Sequence, residues 1–297
     1  MMMLNHVWES VVILLKTISN MDNLSVVYFT NEKGFGLAEL AVDNFKKYSK
    51  NLKINIVSNM IPEGYEFRHD DIQHHNMEVP YHYSGKHFGE SMLKYLKSVD
   101  DEYIFFFCDD YFLVDDIKED DLKTLIDFMK CEDIDYFGFD DMCDGCSQMD
   151  KVMYEPKCHH EQSDKFVVRN RDDQYLYSVQ PCIWKRETFM KVLTDGVSLH
   201  DLDETRQHIK DIDGIVALGN DLSSHMTYKS QEEINKINYF ILSYAEIVRH
   251  GVFIVPENNP SRFENEIQTQ IVRDLCKDET INKKPFFTRL LYNLKLD

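Results

Sequence analysis

The chain contains no apolar run approaching the roughly 18 residues that a membrane-spanning helix requires. It is also short of positive charge: 33 Lys and Arg stand against 52 Asp and Glu, for a net charge of -19. That balance repels phosphate backbones, and no basic stripe interrupts it. Nucleic-acid binding and sustained attraction to an anionic membrane surface are therefore excluded as expected functions. A disulfide framework is missing as well. Seven cysteines (Cys108, Cys131, Cys143, Cys146, Cys158, Cys182 and Cys276) form an odd set spread over 297 residues, which predicts a reducing, cytoplasmic setting. There is no internal repeat and no Gly/Ser-rich linker, so one domain over 1–297 is expected.

The opening stretch is apolar at Val11 to Leu15 but lacks a basic leading region and a small-residue cleavage site, so it is not expected to be a signal peptide. Val7, Val11, Leu14, Leu15 and Ile18 follow helical spacing, and an accessory amphipathic helix over 1–20 is predicted. The rest of the composition, 43% hydrophobic and 29% charged, is that of a folded globular chain.

LSVVYFT from Leu24 is short, β-branched and aromatic, and closes in a loop at Asn31 to Gly34; it reads as a buried strand. A helix through Leu37, Leu40, Ala41, Phe45 and Tyr48 and a second strand in LKINIVSN complete a βαβ unit, whose ligands sit at the carboxyl ends of the strands. Residues 62–84 show no clear period and read as loop, and a helix follows in GESMLKYLKSV. Tyr103 to Phe107 then form a continuous apolar run, predicting a central strand covered on both faces, which stops at Asp109-Asp110. Beyond it the pattern predicts a helix near 119–130, a strand at DYFGF, and a strand or hairpin around KFVVRN and YLYSVQPCIW. A helix from Glu187 follows, then a mainly helical tail from Gln231 broken by a strand at GVFIVP.

Two adjacent carboxylates at the end of a buried strand need a cation or hydrogen-bond donors to compensate them. A divalent metal bridging carboxylate and substrate diphosphate is one such solution; a solvated strand end is the other reading. From Asp109 to Asp144 there are 14 acidic residues and three lysines, so acidic density alone assigns nothing.

FFFCDDYFL, preceded by an amphipathic helix, resembles the metal-binding motif of GT-A fold glycosyltransferases, in particular bacterial and large-virus members reading apolar strand, then DDYFL. YSVQPCIWKRETFMKVL is similar to that family's Gln-Pro-x-Ile-Trp segment, and YAEIVRHGVF to its Tyr-x-x-x-Val-x-x-Gly element. The three occur in the family's order, so the resemblance spans about 24–255. It implies a GT-A-like α/β fold, a Rossmann-type mixed and mostly parallel sheet flanked by helices with a helical C-terminal tail. It implies a nucleotide-binding half at about 21–116, an acceptor half at about 165–255 and a tail at 256–297. The implied activity moves a sugar from a nucleotide-sugar donor to a glycan, lipid-linked or small-molecule acceptor, with Mn²⁺ or Mg²⁺, in the cytoplasm of a bacterium or a virus-infected host cell.

Carried residue by residue, the resemblance puts Thr30 and Asn31 near the base or ribose, Asp109 at the ribose or metal, Asp110 on the metal, Lys86 near the phosphates and His250 as a late metal or diphosphate contact. Cys108 stands two before Asp110, where many of these motifs carry another Asp, so a single Asp would share the ion with phosphate oxygens and water. In HDLDETRQH the acids Asp201, Asp203 and Glu204 are candidate bases for the acceptor hydroxyl, with Glu204 fitting the family position best. The same residues suit a helix N-terminal cap. Asp221 is a further candidate.

Other clusters compete. Cys143, Cys146, Cys158, His159 and His160 have zinc-ligand types, against a plain loop insertion. His69, Asp70, Asp71, His74 and His75 are metal-like in type but read as solvated loop. Lys86 reads equally as a surface lysine. Trp184 and Tyr177 would stack on a sugar or serve as core. Two rival functions remain: a metal-dependent phosphoryl or nucleotidyl enzyme on the same carboxylates, and a non-catalytic nucleotide- or glycan-binding protein on the same scaffold.

Overall fold

A computed structural model describes residues 21, 23–32, 34–49, 51–67, 69–113, 116–139, 152–157, 166–169, 176–193 and 196–220, together with strand residues 244–246, 248–249 and 252–253. The predicted helix over 1–20, the tail over 256–297, Asp221, His250, Cys143, Cys146, Cys158, His159 and His160 lie outside the described residues.

The first βαβ unit forms as its pattern dictates. β1 (Leu24–Thr30) is buried along its whole length and runs parallel to β2 (Ile54–Ser58). Between them α1 (Phe35–Tyr48) turns Leu37, Ala38, Leu40, Ala41, Val42 and Phe45 inward, and Lys46 and Lys47 in its last turn face the negative end of the helix dipole. α2 (His87–Leu96) buries Phe88, Met92, Tyr95 and Leu96 and leads into β4 (Tyr103–Cys108), which is buried throughout. Ile104 to Phe107 are wholly excluded from solvent. Each such large apolar side chain contributes on the order of 1.5–3 kcal/mol relative to exposure. Tyr28 and Phe107 stack across the β1–β4 boundary with ring centroids 4.9 Å apart.

α3 (Glu119–Glu132) opens on Glu119, Asp120 and Asp121 and carries Lys130 in its last turn, a charge order that suits the dipole at both ends. Past it come β6 (Tyr136–Gly138), β7 (Phe166–Val168), β8 (Cys182–Lys185), α4 (Arg186–Val192), α5 (Leu199–Asp203), α6 (Gln207–Lys210) and β9 (Ala217–Asn220). With β3 (Gln73–Asn76) they complete one eight-stranded sheet, order β3-β2-β1-β4-β8-β6-β9-β7. The β3–β2, β2–β1, β1–β4 and β6–β9 pairings are parallel; β4–β8, β8–β6 and β9–β7 are antiparallel. This is the mixed, mostly parallel sheet flanked by helices that was expected, with β4 in the middle.

Three local expectations change. Part of 62–84 is strand: β3 pairs only β2 and stands at the sheet edge, where a half-exposed QHHN needs no apolar alternation. KFVVRN and YLYSVQPCIW do not form a hairpin, because β7 pairs β9 whereas β8 inserts between β4 and β6. Tyr244–Glu246 and Val248–Arg249 are extended rather than helical, while Val252–Phe253 form the strand expected at GVFIVP. β10 (Tyr244–Glu246) lies antiparallel to β5 (Tyr111–Leu113), and β11 (Val248–Arg249) pairs β12 (Val252–Phe253). The cysteines also differ from a uniformly free set: Cys108 and Cys182 are free and buried, but Cys131 is disulfide-bonded. Among the described residues no helix is long and apolar enough to cross a membrane.

Candidate functional site

The register of the parallel strands builds the site. Phe29 pairs with Cys108 in the β1–β4 ladder, so the next residues, Thr30 and Asp109, leave the sheet side by side. Ser58, at the end of β2, pairs with Thr30. Thr30 Oγ1 donates to Asp109 Oδ2 at 2.5 Å. Gly34 closes in from the turn after β1: a Cβ built on it would stand 2.3 Å from Asp109 Oδ2 and 2.8 Å from Thr30 Oγ1. Only hydrogen fits there. Burial pushes the Asp109 carboxyl up from 3.8 to about 6, although the Thr30 hydroxyl and the backbone pull the other way.

Asp110 follows, with its Oδ1 shielded from solvent. The chain leaving it is held on both sides. Leu113 N donates to Asn44 Oδ1 at 2.7 Å and its carbonyl accepts from Asn44 Nδ2 at 3.0 Å, so α1 lends β5 a side-chain imitation of a strand neighbour. On the other flank Glu246 pairs with Tyr111, which sets β10 beside the acidic pair.

The second half arrives through the antiparallel strand β8. Because Phe106 pairs with Cys182, the chain entering β8 crosses the carboxyl end of β4. There the Cys108 thiol donates to the Val179 carbonyl at 3.7 Å, while Val179 N donates to Asp203 Oδ1 at 3.2 Å. Burial pushes the Cys108 thiol up, and the charges of Asp110, Asp109 and Asp203 push it further. One residue, Val179, thus separates the acidic pair's strand from the third carboxylate.

The three acids of HDLDETRQH have different surroundings. Ser198 caps α5 and forms a reciprocal capping box with Asp201, whose carboxylate also lies 3.4 Å from Arg206. Burial would raise Asp201, but the Ser198 hydrogen bonds outweigh it and hold the carboxyl below the usual range. Glu204 pairs with Arg206 at 2.9 Å and His200 at 3.3 Å. Asp203 is the one bonded toward the strand end.

Lys86 is exposed in the turn before α2, and its side chain runs over Gly196, which has a positive φ of 88°. Gly89 N bonds the Val197 carbonyl at 3.0 Å, so this turn abuts the segment leading into α5. Asn31 closes the turn after β1 by accepting from Gly34 N.

The remaining candidates are dispersed. Trp184 is fully buried, stacked on Phe189 at 4.8 Å and set against Tyr136, and Tyr177 lies in the same core. His69 bonds Asp43, Asp71 bonds Lys46, His75 bonds Asn55, and His74 lies on Phe67 with centroids 3.9 Å apart. Among the described residues no group of three or more His, Cys, Asp or Glu has an arrangement that could hold a metal ion by itself. Gly34, set against Asp109 and Thr30, and Asn59, buried behind its turn and bonded to Glu32 N, carry no chemistry that sequence patterns point to and were not anticipated.

No family model and no curated protein matches the chain. Solved structures overlap it in part. A TarS fragment from S. aureus aligns at 12% identity and TM-score 0.38, covering 66% of this chain and 60% of that one. An active-site mutant of LgtC aligns at 11% identity and TM-score 0.44, over 84% and 95% of the two chains. The galactosyltransferase LgtC with donor and acceptor sugar analogs aligns at 8% and 0.41, over 84% and 94%. The chain spans 60% of the TarS fragment and 46% of a longer TarS. Overlaps of this size decide nothing about function, which has to come from the residues of the site.

Proposed function

We propose that this protein is a glycosyltransferase that moves a sugar from a nucleotide-sugar donor to a hydroxyl acceptor. The observation carrying this reading is the end of β4: a fully buried aromatic strand at the centre of the sheet delivers Asp109 and Asp110 to its carboxyl edge, with Thr30 and Gly34 clamping the first. α/β sheets bind their ligands at that edge. Acidic groups placed there in a chain of net charge -19 favour a ligand that brings a cation with it.

The two adjacent carboxylates suit a hard divalent ion, Mn²⁺ or Mg²⁺. No protein cluster among the described residues supplies a third ligand. Diphosphate oxygens and water would complete the coordination, so metal and nucleotide bind as one unit. When bound, the ion offsets negative charge that builds on the departing diphosphate. Asp110 is assigned to it, and Asp109, held by Thr30, to the ribose or the ion. Lys86 approaches the phosphates and Asn31 the nucleoside. His250 stays a candidate late contact.

If the reaction inverts, a base must take the acceptor proton. Asp203 is the candidate we favour, since its carboxylate faces the Val179 bridge while Asp201 and Glu204 serve the cap and the Arg206 pairs. On this reading about 21–116 holds the donor and about 165–255 the acceptor, with glycan, lipid-linked or small-molecule acceptors all fitting. On the same reading the enzyme acts in the cytoplasm.

The test is a thermal-shift panel of UDP-, GDP-, CMP- and dTDP-sugars, each with Mn²⁺ and with chelator. A metal-dependent rise for one nucleotide is expected, because a ligand bound only by the native state stabilises it. Release of the nucleoside diphosphate, or of CMP from a CMP-sugar, then marks transfer, whereas transfer of the nucleotidyl group would mark a nucleotidyl enzyme. No shift with any donor overturns the reading.

A further inference from the structure

Asn59 is wholly buried, immediately beyond β2, and both ends of its side-chain amide are committed to main chain. Its Oδ1 accepts from Glu32 N at 2.9 Å, and its Nδ2 donates to the Val79 carbonyl at 3.0 Å. Val79 N returns a bond to the Asn59 carbonyl at 2.8 Å, so the side chain and backbone of Asn59 both grip the strand exit after β3. Glu32 lies in the Asn31–Gly34 turn, which closes through Gly34 N to the Asn31 carbonyl at 2.9 Å. The far side of that turn is the Gly34 face against Asp109 Oδ2.

The amide therefore works as a strut. One end is anchored at Val79, the other holds Glu32, and two residues further on Gly34 leaves the Asp109 carboxylate no room to rotate toward it. Because Asn59 is wholly buried and both ends of its amide hold main chain, it does not itself face a ligand.

We infer that Asn59 is a positioning residue: by pinning the Asn31–Gly34 turn it fixes the orientation of the Asp109 carboxylate, and through it the affinity for a nucleoside diphosphate bound with its cation. The nature of the ligand rests on the transferase reading above; the strut itself rests on the hydrogen bonds.

A buried, satisfied amide contributes stability wherever it sits. A strut acting through Asp109 has a distinct signature: it has nothing to transmit once that carboxylate is gone. The experiment is a double-mutant cycle in the full chain with Asn59→Ala, Asp109→Asn and the pair. Binding of UDP, GDP, CDP and dTDP is titrated in Mn²⁺, and amide hydrogen exchange is followed at Glu32 and Gly34. Asn59→Ala should weaken the nucleotide that the wild type binds by about tenfold, yet by less than about twofold in the Asp109→Asn background. Exchange at Glu32 should rise in both backgrounds. If Asn59→Ala does not fold, Asn59→Asp keeps the acceptor for Glu32 N while disturbing the Val79 end, and the cycle is run with it.

Equal losses in the two backgrounds, or full affinity in Asn59→Ala, overturn the inference while leaving the transferase reading standing. A wild type that binds none of the four nucleotides, nor any donor of the thermal-shift panel, overturns both.

Discussion

Thr30 and Asp109 end adjacent parallel strands, and the Thr30 hydroxyl donates to Asp109 Oδ2 across 2.5 Å. The contact turns two separate strand ends into one rigid edge. Asp109 comes from residue 109 of the chain and its partner from residue 30, so the site's geometry depends on the β1–β4 register and not on either loop alone.

Gly34→Ala tests the closeness of that edge. Gly34 has φ -93° and ψ 0°, which alanine tolerates, so the backbone does not object. The added methyl would nevertheless overlap Asp109 Oδ2 and Thr30 Oγ1. Metal-dependent nucleotide binding should fall at least tenfold, with a stability loss of about 1–3 kcal/mol from the forced shift. Wild-type binding in a folded Gly34→Ala protein would show that the Asp109 side chain is free to move.

Asp110→Ala should abolish donor turnover while leaving the melting temperature close to that of the wild type, because the residue is partly exposed at a strand end and packs no core. Activity assays beside thermal melts decide this. Unchanged turnover would remove Asp110 from the metal.

The three acids near α5 should separate. Asp203→Asn should lower kcat by about 10²–10⁴ with KM for the donor nearly unchanged, as for loss of a general base. Glu204→Gln should leave kcat within severalfold and cost at most about 1 kcal/mol, since its ion pairs with Arg206 and His200 are near the surface. The reverse order would move the base to Glu204.

Asp109 also gives the metal-free protein a pH signature. Its carboxyl is raised from 3.8 to about 6, so the native state holds the proton more tightly than the unfolded chain does. Its contribution to stability is complete below 3.8 and is lost as pH rises through about 6. In chelator, wild type should lose melting temperature relative to Asp109→Asn across that interval. Mn²⁺ with nucleotide should reduce the loss, because a nearby cation favours the ionised form. A constant difference between the two proteins over the interval would remove the raised carboxyl.

Away from the site, Asp135 joins three elements. It accepts from the Thr188 hydroxyl of α4 and, through Oδ2, from Val216 N at 2.9 Å, just ahead of β9, while standing before β6 itself. Asp135→Ala should destabilise the fold by about 1–3 kcal/mol by stranding the buried Thr188 hydroxyl and the half-buried Val216 N–H. Urea unfolding measures it, and a loss below the error of the method would mean that water replaces the carboxylate.

Periodicity and composition alone determined much of this protein. The first βαβ unit, the buried run from Tyr103 to Phe107 and the halt at Asp109-Asp110 are local: each is written in consecutive residues whose burial period or β-branching admits one structure. The balance of charge is equally local. Partnership was not. Nothing in QHHN announces a strand, because β3 is held by β2 and sits at an edge where polarity is tolerated. Nothing around Cys182 says that β8 runs antiparallel between β4 and β6 instead of pairing with the β7 segment. Which acid among Asp201, Asp203 and Glu204 turns toward the strand end depends on a capping serine and an arginine that claim the other two. Gly34 and Asn59 show the same limit: one matters for the atom it lacks and the other for two main-chain groups it joins, from Glu32 and Val79. A residue's type and spacing reveal what chemistry it carries, but only the folded chain, by choosing each hydrogen-bond partner across tens of residues, decides where that chemistry is used.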